Sequence, residues 1–142
     1  MKIAIANDHG GTQLKHTILQ HLSSQGIEVI NLGIDDTSSV DYPDYAKKVT
    51  DALIAQEADL GILCCGTGIG MSIAANKVAG IRAAVVSDTF SAQATREHNH
   101  SNVLCLGQRV IGEGLALLLV DTWLAATPQE GRHLGRVAKL EG

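Results

Sequence analysis

The densest chemistry in this chain lies in Cys64-Cys65-Gly66-Thr67-Gly68-Ile69-Gly70, where two thiols meet alternating glycines. The segment closes an apolar run and precedes a helix-compatible stretch. Main-chain N–H groups at a helix N-terminus favour negative charge, on a bound anion or on a thiolate. Chemistry on a small anionic molecule is therefore the leading expectation. The glycines alone also fit a plain tight turn. No Gly-Lys-Ser/Thr follows, so the loop is not a Walker A motif, and Met71 stands where a dinucleotide fingerprint needs its last glycine. Asp88, near the next strand end, keeps a dinucleotide-binding module as an outside alternative. Successive strand residues point to opposite faces, so only one cysteine of the pair should face a pocket. Cys65 is expected at its mouth, with Cys64 and Cys105 as small core residues.

Other candidates stand where segments end. Asp8 and His9, in Asn7-Asp8-His9-Gly10-Gly11, follow the first strand-like run. His9 reads either as an anion contact or as a histidine oriented by Asp8. His98-Asn99-His100 follows a helical segment. His-x-His can hold a metal, but no third ligand accompanies it, and no metal is expected. His98 reads as a catalytic imidazole at a helix C-terminus and His100 as ordinary surface. His16 and His21, five residues apart, share no helix face and are expected in solvent. Arg132 and Arg136 are four apart on one face, where like charges repel unless an anion or an acid lies between them. A solvated basic tail is the equal alternative. Arg109 offers a further cation.

The elements that must position these groups follow from periodicity. Apolar runs at Lys2–Ala6, Ile27–Asn31, Leu60–Cys64, Arg82–Val86 and Val103–Leu106 read as buried strands. Between them, Leu14, Ile18 and Leu22 mark a first helix, closed by Gly26. Ala46, Val49, Leu53 and Ile54 mark a second, opened near Pro43. A third runs from about Thr67 to Val78. A fourth is capped by Asp88 and uses Phe90, Ala94 and Thr95. The fifth, Glu113–Ala125, is apolar on nearly every side and calls for cover all round, with a partner subunit the favoured source. This alternation predicts a three-layer α/β/α sandwich around a five-stranded parallel sheet. In such sheets ligands sit beyond the carboxyl ends of the strands, where an acid, an imidazole, a thiol and the glycine loop converge. Residues 1–142 read as one domain, with 128–142 a basic tail.

Composition narrows the field. The net charge is −4, so no nucleic-acid partner is expected, and any anion site must be local. Three cysteines without metal spacing fit a reducing, cytoplasmic setting. The N-terminus passes directly into a strand-like run, with no signal peptide in view. Leu115–Val120 falls far short of the ~20 residues needed to span a bilayer.

Together the segments resemble the type B ribose-5-phosphate isomerase family, which also contains galactose-6-phosphate isomerase subunits. The resemblance covers essentially the whole chain. It rests on Asn7-Asp8-His9-Gly10, Asp41-Tyr42-Pro43, Cys65 to Gly70, Ser72 to Lys77, Gly80-Ile81-Arg82-Ala83, Ser91-Ala92, His98-Asn99 and Gly131-Arg132-His133. It implies a Rossmann-like domain that isomerises ribose 5-phosphate and ribulose 5-phosphate without a cofactor. It also implies homodimers, or dimers of dimers, with active sites at the subunit interface. By this resemblance Cys65 is the base moving a proton between C1 and C2. His98 opens the furanose ring, and Asp8 assists at the ring oxygen. Thr67, Gly66, Gly68, Ile69 and Gly70 hold the enediolate. His9, Arg109, Arg132 and Arg136 grip the phosphate, while Tyr42 and Asn99 line the sugar. One branch of the family places a glutamate base where this chain has Met71, which cannot take a proton. The galactose-6-phosphate subunits lack the Cys-Gly-Thr pattern. Asn7 stands where a cysteine is common, and the tail ends soon after Arg136. The alternatives are an isomerase for allose 6-phosphate or a tetrulose phosphate, and a non-catalytic phosphosugar-binding subunit.

Overall fold

Strict alternation in the strands divides the apolar residues into two cores, one on each face of a single sheet. The computed structural model describes residues 1–142. Its strands are β1 (Lys2–Asn7), β2 (Glu28–Asn31), β3 (Leu60–Cys65), β4 (Ala83–Val85) and β5 (Val103–Gly107). Its helices are α1 (Thr12–Ser24), α2 (Tyr42–Ile54), α3 (Ile69–Asn76), α4 (Thr89–Asn99), α5 (Glu113–Ala125) and α6 (Arg132–Leu140). The sheet has order β2-β1-β3-β5-β4, and every pairing is parallel. Parallel strands need crossovers, and the helices supply them on both faces. The expected three-layer α/β/α sandwich is what forms.

Ile3, Ile5, Ile62, Cys64, Leu104 and Leu106 point to one face and pack with Leu14, Ile18, Leu22, Leu119, Val120 and Trp123 of α1 and α5. Ala4, Ala6, Leu63, Cys65 and Cys105 point to the other and pack with Ala46, Val49, Met71 and Ala75 of α2 and α3. A one-residue slip in any strand would exchange these two sets.

Two expectations need correction, those for Phe90 and for the two histidines of α1. Phe90 is 80% exposed, because Ala92 and Thr95 set the inward face of α4 and Phe90 lies about 200° round the helix from Ala92. The fifth helix is covered on one side by its own domain, through Ala116, Leu119, Val120 and Trp123, while Leu115 and Leu118 stay at the surface. His16 and His21 are half-buried rather than free in solvent: His21 Nε2 lies 2.8 Å from Asp121 Oδ1, and His16 Nε2 lies 3.7 Å from Asp35. No helix is long and apolar enough to cross a membrane.

The β2–α2 connection is pinned from below by a buried cation. Lys15 is fully buried and donates to Asn31 Oδ1, to the Ile34 carbonyl and to Asp35 Oδ1. Asn7, also fully buried, accepts the Ile34 N–H and donates to the Asp8 carbonyl and Thr12 Oγ1. The loop that leads to Tyr42 is thereby fixed to the end of β1, beside Asp8.

Candidate active site

The carboxyl ends of β1, β3 and β5 bring most of the expected residues together. The Asp8 N–H donates to the Cys64 carbonyl at 3.2 Å, and the N–H groups of Gln108 and Arg109 donate to the Cys65 and Gly66 carbonyls at 2.9 and 3.0 Å. The turn after each strand is thus tied to its neighbour. Asp8 is 8% exposed, and its Oδ1 accepts the Gly10 N–H at 2.8 Å. His9 is exposed at the rim, with Nδ1 accepting the Val40 N–H at 3.3 Å. A Cβ on Gly66 would lie 3.4 Å from Cδ of Arg109, which places that side chain across the glycine loop.

Cys65 departs from its expected place at the mouth. It is 5% exposed and packs in the α2/α3 core, while its sulfur accepts the Gly68 N–H at 3.0 Å. The thiol therefore lies just beneath the glycine loop, with a main-chain donor aimed at it. Its neighbours are inert: burial pushes the Cys64 thiol far up, and the same cause raises Cys105. All three cysteines are free thiols, and none is bonded to another.

The glycine loop is shaped by two close approaches. Gly68 has φ +80°, in the left-handed region, and a Cβ there would meet Val85 and the Leu106 backbone at 2.9–3.1 Å. Gly70 lets the Tyr42 ring approach, since a Cβ would stand 2.7 Å from its Cε1. Tyr42 thus roofs the first turn of α3. Thr67 is exposed, and its hydroxyl accepts the Ile69 N–H at 3.2 Å.

His98, Asn99, Arg132 and Arg136 form a second group elsewhere. Their helices meet at the amino edge of the sheet, because α4 runs antiparallel to the strands and delivers its last turn to the start of β5. Asn102 accordingly accepts from Gly61 at the start of β3. From Gly61, paired with Val103, to Cys65, paired with Gly107, is about 13 Å along the strand. In one chain, then, the imidazole group and the thiol group lie at opposite edges of the sheet.

The amino-edge group has its own order. The His98 and His133 rings stack at 4.5 Å between centroids, 10° from parallel. Burial, and then the charges of His98, Arg132 and Arg136, hold His133 below its ordinary pKa. A cavity of about 250 Å³ is lined by His98, Asn99, His133, Arg136, Val137 and Leu140. Arg109, Arg132 and Arg136 are paired with no carboxylate of the chain. His100 is half-buried rather than ordinary surface, and its Nε2 lies 2.5 Å from the Gln129 carbonyl. His98 and His100 face different partners and do not converge as a His-x-His metal pair.

His133 was missing from the site candidates drawn from sequence. The signal lies in the helical spacing of His133, Arg136, Val137 and Leu140, the residues of α6 that line the cavity against α4.

Comparison with known proteins decides the family. The family model described as Ribose/Galactose Isomerase matches residues 3–140. This chain belongs to that family. Ribose-5-phosphate isomerase B of Escherichia coli (strain K12) is 53% identical over 139 residues, covering 98% of this chain and 93% of that one. The solved Ribose-5-Phosphate Isomerase B of Clostridium thermocellum is 54% identical, with TM-score 0.98, covering 99% of this chain and 95% of that one. The structure of Ribose-5-phosphate Isomerase B from Mycoplasma genitalium with bound ribulose-5-phosphate has TM-score 0.94 and 41% identity, covering 99% and 93%. The family's ribose/galactose isomerase scaffold therefore extends across both residue groups described above.

Proposed function

We infer that this member of the ribose/galactose isomerase family interconverts ribose 5-phosphate and ribulose 5-phosphate. The observation that carries this is a buried thiol whose sulfur accepts a main-chain N–H, in a chain 53% identical to a ribose-5-phosphate isomerase B along nearly its whole length. The reaction moves one hydrogen between adjacent carbons and is redox-neutral overall, so its balance needs no outside oxidant. Cys65, as thiolate, takes the proton from C2 of the open-chain aldose, and the thiol, in exchange with solvent, returns a proton to C1 while the hydroxyl proton passes from O2 to O1. The negative charge that develops on oxygen is met by the N–H groups of Gly66, Thr67 and Gly70, since those of Gly68 and Ile69 are given to the Cys65 sulfur and the Thr67 hydroxyl. Each well-placed donor of this kind contributes on the order of 3 kcal/mol to the transition state. Asp8, tied to the end of β3 through the Cys64 carbonyl, assists proton movement at the ring oxygen.

The ring-opening imidazole of His98 comes from a second copy of the chain, as do Arg132 and Arg136 for the phosphate. What supports this is the separation of the two groups across the sheet within one chain. Exposed Ile69 and Ile73 of α3, Val85 of β4 and Phe90 in the first turn of α4 provide the apolar surface for that second copy. Such a homodimer, with His9 and Arg109 gripping the phosphate from the near side, completes a pocket that each chain holds in halves. Three free thiols fit the cytoplasm as its compartment.

Turnover of ribose 5-phosphate in deuterated water tests the reaction. The expected result is solvent deuterium at C1 or C2, lost in Cys65→Ala; a Cys65→Ala protein with normal exchange would remove the proposed base.

A further inference from the structure

Arg82 lies at the amino edge of the sheet, just before β4, and its guanidinium joins three pieces of chain. Nε and Nη2 donate to the His100 carbonyl at 3.2 and 3.0 Å, and Nε also donates to the Asn99 carbonyl at 3.0 Å. Nη1 pairs with Glu141 Oε1, whose partner oxygen Oε2 accepts the Gly80 N–H at 3.0 Å. Asn99 and His100 end α4, and Glu141 is the C-cap of α6. One planar cation thus binds the closing ends of the two helices that carry His98 and His133. Their C-terminal carbonyls favour a positive charge at that spot.

The tether matters because α6 has little else to hold it. His133 is its single buried residue, while Leu134 and Leu140 are exposed. The cavity between α4 and α6 is lined at one end by Leu140, next to the pair, and at the other by His98 and His133. The Arg82 and Glu141 side chains are only 22% and 33% exposed, so water screens the pair incompletely. The Arg82 hydrogen bond holds the Glu141 carboxyl below the usual carboxylate range, and it stays ionised at neutral pH.

We propose that Arg82 and Glu141 form a positioning clasp that sets α6 against α4, and with it Arg132 and Arg136 against His98. This rests on the reading in which the α6 arginines take the substrate phosphate. Glu141 then acts on affinity for the phosphate, whereas Arg82, which also grips α4, acts on affinity and on the turnover step.

The test is steady-state kinetics on the full-length protein, with inhibition by inorganic phosphate measured alongside and Arg136→Ala as the reference variant. For Glu141→Ala, KM and the phosphate inhibition constant should rise together by about three- to ten-fold, with kcat nearly unchanged. Glu141→Gln, which keeps one acceptor for Arg82, should recover part of the loss. Arg82→Lys, which loses the planar fork, should also lower kcat. A clasp that only stabilises the fold would lower the thermal midpoint and leave KM and the phosphate constant alone. Wild-type values of both in Glu141→Ala, while Arg136→Ala raises them, would overturn the clasp. Wild-type values in Arg136→Ala would overturn the phosphate grip, and the clasp with it. If Glu141→Ala does not fold, Glu141→Gln is judged by the same two constants.

Discussion

At the scale of single residues, the account turns on a sulfur that is enclosed but not inert. Cys65 is as buried as a core residue, yet its sulfur faces the Gly68 N–H, whereas Cys64 on the opposite face meets only apolar packing and the α1 helix. A positioned base of this kind typically accounts for 10²–10⁴-fold in rate. Cys65→Ala should accordingly lower kcat by about three orders of magnitude while KM changes little, as steady-state kinetics on a protein with unchanged circular dichroism would show. The strand alternation made the choice between the two cysteines legible. The depth of Cys65 was not, because it depends on how Met71 and α3 close over it. His133 gives a pH-dependent prediction. Its pKa is lower in the folded chain than the ordinary 6.5, chiefly through burial, so below that value the unfolded chain binds more protons than the folded one. Stability should therefore fall as pH drops from about 6.5 through the lowered value, and His133→Gln should flatten that acid limb in urea titrations at successive pH values.

At the scale of elements, β3, its glycine turn and α3 act as one unit. Gly68→Ala would place a Cβ at φ +80° against the Leu106 backbone. A cost of at least about 1–2 kcal/mol from the backbone conformation alone is expected, larger with the collision, together with loss of the N–H aimed at Cys65. A lowered unfolding midpoint and a fall in kcat should appear together. The strands could be read from sequence to within a residue or two, since a two-residue period leaves few alternatives once both faces are buried. Helix faces were harder to read. Phe90 stands at helical spacing from Ala94, but tertiary packing selects the face of Ala92 and Thr95. The tail carries a helical stripe in His133, Val137 and Leu140, yet only its arginines enter the site expectations, as a phosphate grip or a solvated basic tail. Local pattern fixed what these segments become, while the partner each would find depended on contacts far along the chain.

At the scale of the whole molecule, the decisive fact is a division. Cys65, Asp8 and the glycine loop lie at the carboxyl edge of the sheet, while His98 and the α6 arginines lie at the amino edge, and β3 spans about 13 Å between the two edges. Sequence put the thiol and the glycine loop at one strand end, but it gave no distance between them and His98, because that separation exists only once the strand order is known. If two copies complete each site, a charge in the apolar patch should disable both assembly and catalysis. Phe90→Glu should shift the protein to monomer mass in sedimentation and lower kcat/KM by at least about 100-fold, since each lone chain then lacks half its machinery. Subunit complementation tests the shared site most directly. Cys65→Ala and His98→Asn proteins, each inactive alone, are unfolded, mixed in equal amounts and refolded, and hybrid formation is confirmed by native mass spectrometry. Random pairing makes half the dimers hybrid with one intact site in two, so activity should return to about a quarter of the wild-type value. Hybrids that form in that proportion and stay inactive would contradict a pocket built from two chains.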